Sequence, residues 1–544
     1  CVSFKFCESQ HNPNFLENRH VIVHLFEWKF SDIANECEQY LGPKGYGGIQ
    51  LSPVNENLIK KEIYGRPWWE RYQPISYLIQ TRSGNEEDFL NMSKRCNDAG
   101  VRIYVDVVFN HMAAGHGKPT EEMLGTAGSK ANATIRDYPG VPYVNEEFHS
   151  ECIISDYTDG NDVRNCQLGT LPDLNQSIES VRMKIVNFLN HLIDLGAAGF
   201  RIDAAKHMWP MDVKAILENV KNLNIEFNFP PNSRPFFYQE VIDLGGEAVS
   251  KTEYNSFGVV TEFLYSKEIG EIFNGKKSLS TLINWGPTIG FLPHSDALVF
   301  IDNHDNQRGH GAGGELILTH KKPKKYIMAT AFMLSHPYGI KRIMSSYQFN
   351  STDQGPPADE NDNILSPIFD NKTEECLAYD KENNVSWICE HRWQSIVNMV
   401  EFLKIVEGQP ISNWQDNGPN QIAFCRGNKG FIAFNNDPFL DYKTKVVACL
   451  KPGEYCDIIS GKIIDENRND QNTNGENILN ENNTTSPNNQ NNNSNNNNKE
   501  INENKKCSGE KLIIDADGYA NINIPFNGKH GVIAIHENSN IKEL

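Results

Sequence analysis

At 544 residues the chain is too long for one ordinary hydrophobic core, so two or three domain-sized units are expected. Its 70 acidic residues against 51 basic ones leave a net charge of −19, which argues against nucleic acid as a partner, because backbone phosphates call for a basic face. No stretch approaches the roughly 18 apolar residues of a membrane-spanning helix, and the start, Cys1-Val-Ser-Phe-Lys-Phe-Cys7, has no signal-peptide core, so the numbering reads as that of a mature chain.

In chain order, strand-like runs occupy 21–28, 48–54, 101–108, 199–203, 236–241, 259–264, 298–302 and 342–347. Amphipathic helical segments lie between them over 31–41, 86–99 and 178–195, with Gly42, Gly100 and Gly196 as predicted stops. Strand–helix alternation repeated eight times predicts an α/β fold, a closed parallel (β/α)8 barrel. The stretch 110–173 far exceeds the usual connection of about two to six residues and is rich in Gly, Pro, Asn and Asp. It predicts a small irregular domain inserted after strand three, leaving the barrel as 1–109 and 174–407. After 408 the helical periodicity stops, and short strands with turn signals predict a C-terminal antiparallel Greek-key β domain over 408–544. Within it, the Asn-dominated 466–505 cannot bury enough apolar surface to order itself and is expected to be a disordered loop.

The stretch Gly199-Phe200-Arg201-Ile202-Asp203 ends a buried strand with two charges spaced i, i+2, hence on one face. Functional groups of such barrels stand at the carboxyl ends of the strands. Those ends supply Asp203 after strand four, Glu240 after strand five and Asp305 after strand seven. Three acids meeting at one mouth repel one another, so at least one should hold its proton near neutral pH. Glycoside hydrolysis needs that arrangement: one carboxyl protonates the leaving oxygen while another attacks or stabilises the sugar cation. Taken singly, each acid also reads as a rim ion pair, Arg201 with Asp203 first. The twelve cysteines, at 1, 7, 37, 96, 152, 166, 376, 389, 425, 449, 456 and 507, contain no CxxC and suit disulfides in an oxidising compartment better than zinc. Sequons at Asn91, Asn132, Asn175, Asn350, Asn371 and Asn384 agree with a secreted or lumenal glycoprotein.

Residues 101–111, 199–207, 238–246 and 300–314 resemble the four signature regions of α-amylases, and the likeness is to the animal-type, chloride-dependent branch. It extends over about 20–460 and 507–536, with His24-Leu-Phe-Glu-Trp28, Arg66-Pro-Trp-Trp-Glu-Arg-Tyr-Gln-Pro74 and Cys389-Glu-His-Arg-Trp393. The resemblance implies Asp203 as nucleophile, Glu240 as general acid/base and Asp305 as transition-state stabiliser. It implies one Ca²⁺ held by side-chain oxygens of Asn110 and Asp173 and the carbonyls of Arg164 and His207, an oxygen shell suited to a hard cation. Asp173 also reads as a helix N-cap, and His207 as a packed imidazole. Arg201, Asn303 and Arg342 match chloride ligands, although Arg342 is also free to pair with a carboxylate. Sugar contacts are implied at Trp68, Trp69, Tyr72, His111, Tyr157, Lys206, His304 and His310, with 309–314 as a glycine-rich flap over the cleft; Trp-Trp beside Pro otherwise reads as a packed loop.

The family bridges imply Cys37–Cys96, Cys152–Cys166, Cys376–Cys389 and Cys456–Cys507. Cys425 and Cys449 are extra and open to pairing with each other; Cys1 and Cys7 have no counterpart. One vertebrate bridge is absent, with Gln80 where a cysteine would stand. The expected activity is retaining endo-hydrolysis of α-1,4-glucosidic bonds in starch or glycogen by a monomer, with no membrane or nucleic-acid partner. A transglycosylase or exo-acting α-glucosidase on the same fold is the alternative. A non-catalytic glucan-binding scaffold would lack one of the three acids.

Overall fold

A computed structural model describes residues 10–63, 65–115, 119–380, 385–465 and 505–543. Eight parallel strands close into a barrel in sequential order: β1 Val21–Leu25, β2 Gly48–Leu51, β3 Arg102–Val107, β4 Gly199–Ile202, β5 Phe236–Gln239, β6 Val259–Thr261, β7 Ala297–Val299 and β8 Ile340–Ser345. The strands read as continuous apolar runs because helices cover their outer face while side chains fill the inside. Parallel register sets Asp106 of β3 beside Arg201 of β4, and Arg201 beside Tyr238 of β5. Gly199 starts β4 because a Cβ there would fall 2.1 Å from the Phe236 carbonyl oxygen.

Two predicted boundaries move. The first helix does not stop at Gly42: α1 (Phe30–Glu36) continues through a wider turn over Cys37–Leu41 and ends at Gly45, whose φ of 83° only glycine adopts freely. The sixth strand ends at Thr261, because Phe263 already opens a helix, α6 (Phe263–Phe273). Other barrel helices used below are α2 (Glu86–Asp98), α4 (Glu179–Asp194), α5 (Pro210–Asn219), α7 (Pro323–Ser335) and α8 (Gln394–Val406). The segment between β3 and α4 is mostly irregular among the described residues and carries a short α-helix, α3 (Gly160–Asn165).

Beyond α8, a four-stranded antiparallel sheet packs with a five-stranded one around a core that includes Phe431, Tyr442, Ile514, Ile522 and Ile535. Arg426 fastens this domain to the barrel by donating to the carbonyls of Val406 and Ser335, in or closing α8 and α7. Disulfides join Cys37 to Cys96, Cys152 to Cys166, Cys376 to Cys389, Cys425 to Cys449 and Cys456 to Cys507. Of the Asn-rich tract, 466–504 lies outside the described residues, as do Cys1 and Cys7; Lys505, the last residue expected in the loop, instead opens a short strand, Lys505–Cys507, paired with Ile463–Asp465.

Candidate active site

Asp203 and Glu240 follow β4 and β5 directly, and Asp305 lies on the loop after β7. All three line one cavity of about 740 Å³ at the carboxyl ends of the strands. Asp203 takes its position from its N–H to the Val107 carbonyl (3.1 Å), and Glu240 from its N–H to the Ile202 carbonyl (2.9 Å). Ala204, next to Asp203, has a φ of 50°, rare for a residue with a Cβ. That conformation aims its N–H at Glu240 Oε2, 2.9 Å away. Strained backbone of this kind collects at functional sites.

One guanidinium organises the acids. Arg201 Nη1 donates to Asp106 Oδ1 (2.7 Å) and Oδ2 (2.8 Å) and to Asp203 Oδ1 (2.8 Å), while Nη2 donates to Glu240 Oε1. The rim ion pair read for Arg201 and Asp203 is therefore made, inside the acid cluster. Burial raises the Asp203 carboxyl well above its ordinary value, helped by Glu240 and Asp106 and opposed by Arg201. Asp305 is pushed up to about 7 by desolvation and by the charge of Glu240. Carboxyls so close titrate as a unit.

The eight predicted sugar contacts, Trp68, Trp69, Tyr72, His111, Tyr157, Lys206, His304 and His310, all line this same cavity. Tyr72 stacks on His304 with ring centroids 5.0 Å apart, and its hydroxyl donates to Asp106 Oδ2 at 2.9 Å. Burial holds His304 well below the usual imidazole range and lowers His111 to about 4, so both rings are neutral near pH 7. Lys206 is paired with Glu247 and lies 5.2 Å from the centre of the Tyr157 ring. The 309–314 segment turns through positive φ at Gly309, Gly311, Gly313 and Gly314, and His310 and Gly311 face the cavity.

Two groups of predicted ligands stand beside the acids. Arg342 Nη1 donates to Gln50 Oε1 (2.8 Å), but its Nη2 is buried without a hydrogen-bond partner among the described residues, and Arg201 repels it. Asn303 accepts from the backbone N–H groups of Asp305 and Asn306. An anion fits a buried guanidinium nitrogen left unmatched between two like charges. Asn110 Oδ1 is likewise buried and without a hydrogen-bond partner among the described residues, as an oxygen reserved for a hard cation would be. Asp173 is pushed up to about 6 by burial, and its Oδ2 pairs with His149 Nδ1 at 2.6 Å. Asp173 is not the N-cap of α4, since Ile178 holds that place. His207 lines the cavity and places Nδ1 3.1 Å from the Val163 carbonyl, one residue before Arg164. Among the described residues no three His, Cys, Asp or Glu side chains gather as a metal cluster, and the expected set contains only one such side-chain ligand, Asp173.

Sequence reasoning singled out neither Asp106 nor His149, nor Glu247 or Arg308. Asp106 had a visible signal, the one acidic residue inside the buried run 101–108; the others take their meaning from partners distant in sequence.

Comparisons with known proteins agree with this geometry. Residues 36–267 match the family described as "Alpha amylase, catalytic domain", and 411–497 match "Alpha amylase, C-terminal all-beta domain". An alpha-amylase-related protein of Drosophila atripex is 49% identical over 533 residues, covering 98% of this chain and 96% of the relative. One from Drosophila willistoni is 47% identical over 542 residues, covering 99% and 98%. The crystal structure of a Glu-to-Gln variant of alpha-amylase I from Eisenia fetida, in complex with maltohexaose, superposes with a TM-score of 0.81 at 41% identity, covering 96% of this chain and 98% of that one. The chain belongs to the alpha-amylase family of glycoside hydrolases.

Proposed function

We propose that the protein is an α-amylase that cleaves internal α-1,4-glucosidic bonds of starch and glycogen with retention of configuration. The observation that carries this reading is the sharing of one guanidinium, Arg201, by the carboxylates of Asp203 and Glu240 at the wall of an open cavity. Carboxylates that share one guanidinium are close neighbours, and the retaining route asks for a pair about 5–5.5 Å apart, with no room for a water between them. Asp203 attacks the anomeric carbon while Glu240 gives its proton to the leaving glycosidic oxygen. Glu240 then takes a proton from the water that releases the glycosyl-enzyme. Asp305 offsets the positive charge that develops on the sugar ring, and neutral His111 and His304 are placed to hydrogen-bond its hydroxyls. Trp68, Trp69 and Tyr72 give the pyranose faces an apolar platform.

Asn110 and Asp173, with the carbonyls of Arg164 and His207, would hold Ca²⁺, which when bound pins the 110–173 insertion to the barrel. Arg201, Asn303 and Arg342 would hold chloride, which when bound balances the two guanidinium charges beside Glu240. The five bridges support an oxidising compartment, secreted or lumenal.

The test is Glu240→Gln with soluble starch. Turnover should fall by about 10³-fold or more while maltohexaose binding persists, and retained activity would remove Glu240 from its role. The wild-type products should be mixed maltooligosaccharides, whereas glucose alone would mark an exo-acting enzyme. Full turnover in halide-free buffer would exclude a required anion.

A further inference from the structure

We propose that a lysine-rich patch where the barrel meets the C-terminal domain binds phosphate esters carried on an α-glucan whose chain leaves the catalytic cleft. This rests on the glucan-cleaving reading and extends it to anion-bearing substrates. Within a chain of net charge −19, Lys321, Lys322, Lys324 and Lys325 fall in five residues at the start of α7. Lys324 Nζ donates to the Phe526 carbonyl (2.9 Å), which brings the turn carrying exposed Lys529 alongside, and Lys324 and Lys529 both act on His530. None of these five lysines pairs with a carboxylate within 4.0 Å among the described residues.

The arrangement is costly as it stands. Cations at a helix N-terminus oppose the macrodipole, and α7 has no acidic residue in its first turn. Partial burial lowers the pKa of Lys324 and Lys325, and Lys322 lowers Lys325 further. Arg308 adds an independent observation: it is 4% exposed, and among the described residues its Nε, Nη1 and Nη2 have no hydrogen-bond partner. Arg308 lies 3.9 Å, and Lys321 Nζ 3.7 Å, from the centre of one ring, Phe349. Two positive charges gathered against one ring, neither paired with a carboxylate within 4.0 Å among the described residues, are relieved by an anion.

Phe349 also links the patch to the cleft. Three residues on, the Thr352 carbonyl accepts from Trp68 Nε1 at 2.8 Å, and Asp353 lines the catalytic cavity. A glucan leaving past Trp68 and Asp353 would run along this wall toward the lysines.

The experiment compares a phosphorylated dextrin with its neutral parent, using the full chain and a Lys321→Gln, Lys322→Gln, Lys324→Gln, Lys325→Gln variant. KM for the phosphodextrin should be about tenfold lower than for the parent in the wild type, and the variant should lose that difference with kcat unchanged. About 0.5 M potassium acetate should abolish it by screening. The four-fold Lys→Arg variant should keep it, which separates charge from fold. Equal KM values in the wild type would overturn the proposal, as would discrimination that survives in the glutamine variant. Two further arms decide the source of the anion. Inorganic phosphate that alters turnover of the neutral dextrin would assign the patch to free phosphate, and lysine-dependent binding to phosphatidylserine vesicles without phosphodextrin discrimination would assign it to a lipid surface; either overturns the proposal. Failure to cleave either dextrin would instead sink the underlying activity.

Discussion

Arg308 sits among four aromatic rings, closest to Phe349 and Tyr347 (4.7 Å), with Phe26 at 5.5 Å and Trp68 at 5.9 Å. Ring faces stabilise a guanidinium by about 0.5–2 kcal/mol each but do not cancel its charge, which therefore reaches Asp305 through space. Asp305 is held up to about 7 by desolvation and Glu240, and Arg308 is one of the groups that pull it back down. If Asp305 acts as a carboxylate, activity is present above that value and lost as pH falls through it. Arg308→Met keeps side-chain length and removes the charge, so Asp305 should hold its proton to higher pH. The acid limb of kcat/KM is expected to move up by about one unit, worth about 1.4 kcal/mol, while Arg308→Lys leaves it near the wild-type position. A fall in activity with an unmoved limb would reduce Arg308 to packing.

The turn from β6 into α6 shows how an element boundary depends on a distant partner. The residues 259–264 alternate and branch as a strand does, yet the strand stops at Thr261 because Glu262 is wholly buried under the helix start. Its Oε1 accepts from Lys251 Nζ at 2.5 Å and its Oε2 from the Leu292 N–H at 2.9 Å. Lys251→Met leaves that carboxylate unpaired and is expected to cost about 3–5 kcal/mol, read as a lower denaturant midpoint; Lys251→Met with Glu262→Leu should recover most of it. Such long-range pairing marks the limit of what could be read in advance. The eight strands were legible because their repeat is local, and Asp203, Glu240 and Asp305 because strand ends are visible in an alternating pattern. Asp106 is hard to read in sequence because the Arg201 that gives it meaning is 95 residues away. Gly42 reads as a stop because a glycine inside a continuing helical turn looks like one in sequence, while the later Gly45 supplies it.

At the scale of the molecule, the open matter is what fastens the 110–173 insertion to the barrel beside the nucleophile. Protein contacts supply part: Trp209 Nε1 donates to Asn165 Oδ1 (3.0 Å), Arg164 pairs with Glu253 (2.8 Å), and the Leu174 N–H donates to the Asn110 carbonyl (2.9 Å). Two oxygen groups at the seam are left ill-matched by them, since among the described residues Asn110 Oδ1 has no hydrogen-bond partner and the buried Asp173 is met by His149 and, less strongly, by the charge of Arg136. A dication there would satisfy both, and a site that exists only when the insertion is docked turns binding energy into folding energy. With free Ca²⁺ about a thousandfold above its dissociation constant, that linkage is worth about 4 kcal/mol. Chelation should therefore lower the unfolding temperature by several degrees, and Ca²⁺ added back should restore it together with turnover. Asp173→Asn, which keeps the shape and drops the charge, should shrink the chelator effect by more than half. An unfolding temperature indifferent to chelator would leave the insertion held by the barrel's own hydrogen bonds and ion pairs, and the orphaned Asn110 oxygen would then need another occupant.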